Sequence, residues 1–261
     1  MKKILSILTW VVTAAGIIVL FVFSRNSYLE TPLKSISLSI ERSKDEGFLT
    51  RKKVIADIAG ICDTTGRSTV NSVDMVRLEY MLKSSPWTKS ATSFIDLDGR
   101  LVVKVKEYEA AARVFNESGS SVYVTEDGDI IPTSLEYTPR VLVASGNFDF
   151  PVTARHFRVS DSIYAQSGID KVLKINKEIK KDKFLTAVIG QIYRNPKGIF
   201  ELSVNGIESR VILGDDSDTA DKLLRLKLFL KQKSGSKELT EIRKMDLQFK
   251  NQLVCTKNKQ Q

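Results

Sequence analysis

The chain has a single histidine, His156. A Ser-His-Asp or Cys-His relay would have to run through it. Yet it sits in the basic, loop-like "TARHFRVSD" with no nucleophile motif nearby. A surface or locally bonded histidine is therefore expected. The acidic runs "DLD" (Asp96 to Asp98) and "GDD" (Gly214 to Asp216) suggest a cation site by composition. However, Gly-Asp-Asp before "SDTADK" is what a strand-to-helix loop with acidic first-turn residues looks like. Cys62 and Cys255 are the only cysteines, in no CxxC and no Cys/His cluster, so a structural zinc is unsupported and two free thiols are expected. No glycine-rich phosphate loop is present. No cofactor and no catalytic residue follow from the sequence.

One basic stripe stands out, Lys171, Lys174, Lys177, Lys180, Lys181 and Lys183, in a chain of formal net charge +9. It suits a solvated helix face, or contact with acidic lipid head groups or an acidic partner. The run lacks interleaved aromatics, which argues against nucleic acid.

The elements that would position these residues begin with "ILSILTWVVTAAGIIVLFVFS", Ile4 to Ser24, which carries no charge. A signal peptide has an apolar run of about 7–15 residues before a small-x-small cleavage site, whereas a membrane span needs about 20. Here the run is long and "SRNSYLETP" follows it without an Ala-x-Ala pattern. The reading is an uncleaved single span over 4–24, containing Trp10, Gly16, Phe21 and Phe23, behind a short cytoplasmic tail (1–3). The alternative is a long signal peptide cut near Ser27. The positive-inside difference is small, favouring an outward C-terminal body only modestly.

Beyond the span, "LKSISLSIE" alternates as a half-buried strand. "FLTRKKVIADIAGIC" has helical spacing, with Thr50 placed to cap it, and "VDMVRLEYMLKSSPW" is a second helix, begun by Asp74 and ended by Pro86. "SATSFIDLDGRLVVKVKE" reads as a hairpin about Asp98-Gly99. Residues 33–107 thus form a small α+β unit. From 108 to 257 the chain turns mainly antiparallel β with two helices. There is a hairpin about Asp127-Gly128 and a strand closed by Gly146. The helix "IDKVLKINKEIKKDKF" presents Ile169, Val172, Leu173, Ile175 and Ile179 on one face, interrupted by Asn176. Strands "LTAVIGQIYR", "GIFELSVNG" and "IESRVILG" come next, then a helix begun by Asp218. "IRKMDLQFKNQLVCTK" closes the fold as one strand, and residues 258–261 form a tail.

Several segments together resemble the FtsQ/DivIB family of bacterial cell-division proteins. They are "LEYMLKSSPWTKSATSFIDLDGRLVVKVKEYEAAARV", with its charged V-x-E, "VYVTEDGDIIP", "VILGDDSDTADKLLRLKLFL" and "MDLQFKNQLVCTK". The last resembles the Bacteroidetes form. Departures are Ala110 for a frequent proline, Thr88 for an aliphatic residue and Thr125 for an acidic one. The resemblance implies a non-enzymatic, single-pass type II inner-membrane protein with its C-terminal domains in the periplasm. Its first unit would be a POTRA-like β-α-α-β-β domain. The resemblance also implies a divisome scaffold that binds FtsB/FtsL-like partners, with FtsK/FtsW/FtsI-like proteins as further candidates, and the bilayer through its helix. The alternative is a membrane-anchored, POTRA-containing secretion or envelope-assembly factor.

The closing strand comes last in the chain, so its outer side is expected to be open for strand addition. Partner contacts are accordingly expected at Leu247, Gln248, Phe249, Lys250, Asn251 and Leu253. By motif, Arg194 and Lys197 in "QIYRNPKGIF" join them.

Overall fold

The computed structural model describes residues 2–62, 68–153, 155–233, 235–236 and 238–257. The expected tail 258–261 lies outside them. The chain forms two compact units, Met1–Glu107 and Tyr108–Gln261.

The first unit opens with a continuous helix, α1 (Lys2–Leu29). Then come β1 (Ser35–Glu41), α2 (Arg51–Ala59), a short 3-10 turn at Val70–Ser72, α3 (Met75–Ser84), β2 (Thr88–Ile95) and β3 (Arg100–Glu107). The sheet has three strands in the order β1-β3-β2, with β1 parallel and β2 antiparallel to β3. In β1 the serines face outward and Leu38 is buried, the alternation expected of a strand with one wet face. Leu38 packs with Val54 and Ile58 of α2, Leu78 and Leu82 of α3, and Leu101, Val103 and Val105 of β3. Leu78 and Leu82 lie four apart, so one face of α3 supplies both.

The helix starts differ. Asp74 caps α3 by accepting from the Arg77 amide at 2.9 Å. Thr50 stands at the start of α2 but, against expectation, makes no side-chain cap bond. The amides just before α2 are held from elsewhere. Glu107, buried at the end of β3, accepts from the amides of Phe48 and Leu49, with Arg42 at 3.5 Å from its carboxylate. This is the glutamate of the V-x-E segment. It closes the unit by tying the end of β3 to the loop ahead of α2, a contact no local pattern could predict.

The second unit is built on one sheet of ten strands in the order β13-β12-β11-β10-β9-β7-β4-β5-β6-β8. In chain order these are β4 (Ala110–Phe115), β5 (Ser121–Thr125), β6 (Asp129–Pro132), β7 (Leu142–Gly146) and β8 (Phe157–Arg158). They continue with β9 (Ile189–Arg194), β10 (Phe200–Val204), β11 (Arg210–Gly214), β12 (Ile242–Asp246) and β13 (Val254–Lys257). The sheet is mixed: β7 is parallel to both β4 and β9, and β11 is parallel to β12. Helices α4 (Ile169–Lys180), α5 (Lys183–Val188) and α6 (Thr219–Gln232) pack together against a core that includes Val114, Ile192, Leu202 and Met245. Asn176, the polar break in the apolar face of α4, is buried and donates to the Ala111 carbonyl at 3.0 Å. It ties α4 to β4 and leaves no unpaired amide there.

Three expectations need correction. The segment "LTAVIGQIYR" is not all strand: Asp182 accepts from the Phe184 and Leu185 amides and starts α5, so the strand begins only at Ile189. The second unit has four helices among its described residues, the fourth being the single turn α7 (Glu238–Glu241), not two. The closing strand is two strands. After Asp246 the chain turns through 247–253, with Asn251 in the left-handed region at φ +58°, before β13 pairs antiparallel with β12. Asparagine tolerates that conformation better than most residues. Asp218 stands at the start of α6 as expected, with φ +46° and no side-chain cap bond. The turn is held instead by Thr219 Oγ1 donating to the Asp216 carbonyl.

Burial pushes the Glu107 carboxyl up, while the Phe48 and Leu49 amides and Arg42 pull it down; the net direction is up. The folded chain then holds a proton over a pH range where the unfolded chain has lost it. This part of the stability is present below the ordinary glutamate range and is lost as pH rises through the raised value. Urea melts of the full chain in detergent, read from Trp87 fluorescence, should show this pH dependence. Glu107→Gln should flatten it, and Glu107→Ala should cost about 1–3 kcal/mol by orphaning two buried amides.

Candidate functional site

Register gathers several of the expected contact residues at one end of the sheet. Arg194 at the end of β9 pairs with Phe200 at the start of β10, and Phe200 pairs with Gly214 at the end of β11. Ile212 of β11 lies beside Asp246 at the end of β12. The β9–β10 turn with Lys197, the end of β11 and the 247–253 turn therefore share that end.

Within the turn the six expected residues have unequal roles. Leu247 is fully buried, and its amide donates to the Ile212 carbonyl at 2.9 Å, so it belongs to the core. The Gln248 side chain lies over Gly214, where any Cβ would meet it at 2.9 Å. Phe249, Lys250 and Asn251 are exposed, Phe249 by 52%. Leu253 packs partly against the core.

A residue the sequence did not single out holds this turn. Arg225, on α6, donates through Nη1 to the carbonyls of Phe249 (2.9 Å) and Gln252, and through Nη2 to that of Leu247 (3.4 Å). Asp221, one turn earlier, steadies the guanidinium at 3.0 Å from Nε. A planar fork of donors suits three converging carbonyls better than an ammonium would.

The sheet edge is β13, displaced from the expected stretch. Val254 to Lys257 are all exposed, β12 pairs with one side, and among the described residues nothing pairs with the other. The free side offers unsatisfied backbone donors and acceptors to an extended segment. Val254 and Phe249 add exposed apolar surface.

Arg194 is committed within the unit. Its Nη1 donates at 3.0 Å to the carbonyls of Asn147 and Ser167, its guanidinium lies 5.7 Å from the Phe148 ring centre, and its own carbonyl accepts from the Asn147 amide. Lys197 is exposed in the Asn195–Gly198 turn.

His156 meets no nucleophile. It stacks on Tyr108 with 5.1 Å between ring centres, and its Nε2 lies 3.1 Å from both the Tyr108 hydroxyl and Asp129 Oδ1. The result is a local polar tie from the residue before β8 to the first residue of β6 and to Tyr108 ahead of β4. The "GDD" carboxylates are taken by lysines. Asp215 pairs with Lys222, which with the Ser217 hydroxyl holds its carboxyl down to about 2. Asp216 pairs with Lys174 and Lys171. Lys180 and Lys181 pair with Glu126 and Glu178, so much of the basic stripe is answered within the unit. Cys62 is buried and Cys255 exposed, both as free thiols. Among the described residues no group of three or more His, Cys, Asp or Glu could hold a metal.

At the other end of the chain, α1 is long and apolar enough to cross a membrane over Thr9–Leu29, with none of that stretch buried. Trp10, Phe21 and Phe23 are each exposed by more than two-thirds, and a Cβ at Gly16 would meet nothing within 4 Å.

A family model described as FtsQ/DivIB, C-terminal related, matches residues 109–256, more than half of the chain. No curated protein matches it.

The geometry separates core from surface within the turn. Leu247→Ala should cost about 2–4 kcal/mol of stability, and Phe249→Ala less than about 1 kcal/mol, in chemical denaturation. Arg225→Ala should accelerate amide hydrogen exchange in 247–257 while leaving the β4–β6 amides unchanged.

Proposed function

The chain belongs to the FtsQ/DivIB family and has a role in cell division; on that premise we propose that it is a bitopic scaffold of the division machinery. The apolar helix α1 holds it in the cell inner membrane as a single-pass type II protein, with residues 33–107 and 108–257 in the periplasm. The first of these bodies, a strand, two helices and two strands, acts as a POTRA-like recruitment domain. The second binds FtsB/FtsL-like partners by strand addition.

The single observation that carries the binding step is the exposed β13, unpaired on its outer side. Main-chain bonds along β13 supply affinity, and alternate side chains set the choice of partner. Phe249, Lys250 and Asn251 flank the added strand from the turn. Gln248, laid over Gly214, and Lys197, on the neighbouring turn, lie at the same end of the sheet. Leu247, Leu253 and Arg194 act indirectly, by holding turn and sheet in place. The partners are other membrane proteins of the division machinery, and no chemistry is performed on them.

A charge at Val254 or Phe249, or a proline at Thr256, should abolish pull-down of FtsB/FtsL-like partners while circular dichroism stays native. Normal capture by a correctly folded variant would overturn the edge-strand reading. A fluorescent fusion should give midcell bands; an even envelope signal would instead favour a secretion or envelope-assembly factor.

A further inference from the structure

We propose that the β2–β3 hairpin tip of the first unit rests in the head-group layer of the bilayer, with Leu97 inserted among the lipids. This rests on the reading of α1 as a membrane span. The large apolar side chain of Leu97 is 89% exposed at the very tip of the hairpin. Phe94 beside it is 48% exposed on the outer face of the sheet.

Topology brings the tip to the membrane. The chain passes from α1 through residues 30–34 into β1, so β1 starts at the end of the unit nearest the helix. β3 runs parallel to β1 with Ser35 opposite Arg100, so β3 starts at the same end, and the tip that precedes it lies there too. Direct bonds then fix the tip to the helix. The Tyr28 hydroxyl donates to the carbonyls of Ile95 and Asp96 at 3.2 and 3.3 Å. The Lys34 amide donates to the Gly99 carbonyl at 2.9 Å. Gly99, at φ +77°, sits so close that a Cβ would meet the Pro32 carbonyl at 2.8 Å.

Helical rise sets the depth. From Phe23, the last apolar residue before the charged Arg25 interrupts the run, to Tyr28 is about 7.5 Å along the axis. The head-group and interfacial layer of one leaflet is about 5–8 Å thick. The tip held by Tyr28 therefore lies at the boundary where an apolar side chain leaves water. The tip is also internally set: Asp96 Oδ1 accepts from the amides of Asp98 and Arg100, and the Asp96 carbonyl from that of Gly99, so these three donors do not need water. Asp98 keeps the tip at the interface rather than in the hydrocarbon, and Arg100 and Lys34 stand near the level of lipid phosphates.

The test places an environment-sensitive fluorophore on Leu97→Cys in the full chain, with Cys255→Ser and with Cys62 left buried. The chain is reconstituted in phosphatidylethanolamine–phosphatidylglycerol vesicles. Leu135→Cys, fully exposed in the second unit, serves as the aqueous reference, and Gly16→Cys as the reference within the span. The Leu97 label should be quenched by head-group nitroxide lipids and severalfold less by aqueous iodide than the Leu135 label. Iodide quenching equal to that at Leu135, with Gly16 shielded, would overturn the inference and leave the span standing. Iodide access at both Gly16 and Leu97 would overturn the span as well.

Discussion

The second unit depends on one strand, β7, lying parallel to a neighbour on each side. To its left β4, β5, β6 and β8 form an antiparallel run, and to its right lie β9 to β13, antiparallel except where β11 meets β12. Within the sheet, among the described residues, the two runs are joined through the five residues Leu142–Gly146. The end of this strand is tightly specified. Gly146 has φ +109°, and any Cβ there would fall 2.1 Å from the Arg194 carbonyl. Arg194 then takes the Asn147 amide with that carbonyl and the Asn147 and Ser167 carbonyls with its guanidinium. One residue thus binds the splice of the sheet to the start of α4. These bonds, made by Arg194 Nη1 and the Arg194 carbonyl while its Nε is buried without a partner, favour one register, because a slip would break all three.

From that splice the sheet extends to an edge that cannot close on itself. β12 lies parallel to β11, so the chain must return by way of α6 and α7 before it can pair, and among the described residues a short antiparallel partner, β13, follows. Arg225 steadies the connecting turn from α6 and so couples the edge to the helical layer. The family match, which covers these strands, links this architecture to cell division. A sheet that ends in a brief, wet strand is a liability in isolation and an asset in a protein that works by association.

What the sequence made legible was local. The Ser-apolar alternation of β1, the Asp74 cap, the stop at Pro86 and the hairpins at Asp98-Gly99 and Asp127-Gly128 each act within a few residues, and the structure carries them. The series of motifs also pointed to the right family. What was not legible was mostly set across the chain. One miss was local: Asp182, an ordinary N-cap residue, takes two amides and turns an apparent strand into α5. The turn at 247–253 reads as a strand because Leu247, Phe249 and Leu253 alternate. Its true character comes from Asn251 in a left-handed conformation and from an arginine more than twenty residues earlier in the chain. Leu247 and Arg194 are turned inward in the structure, which residue type does not announce.

The junction after α1 carries a mechanical consequence. Thr31 and Glu30 are still bonded back to the helix, and Leu33 and Lys34 are already bonded to Ser68 and Gly99. No slack residue separates the rod from the folded body, so there is no swivel between them. A torque applied to the body is delivered to the helix as tilt, and a change in helix tilt swings the body through the same angle, as with an oar fixed to its blade.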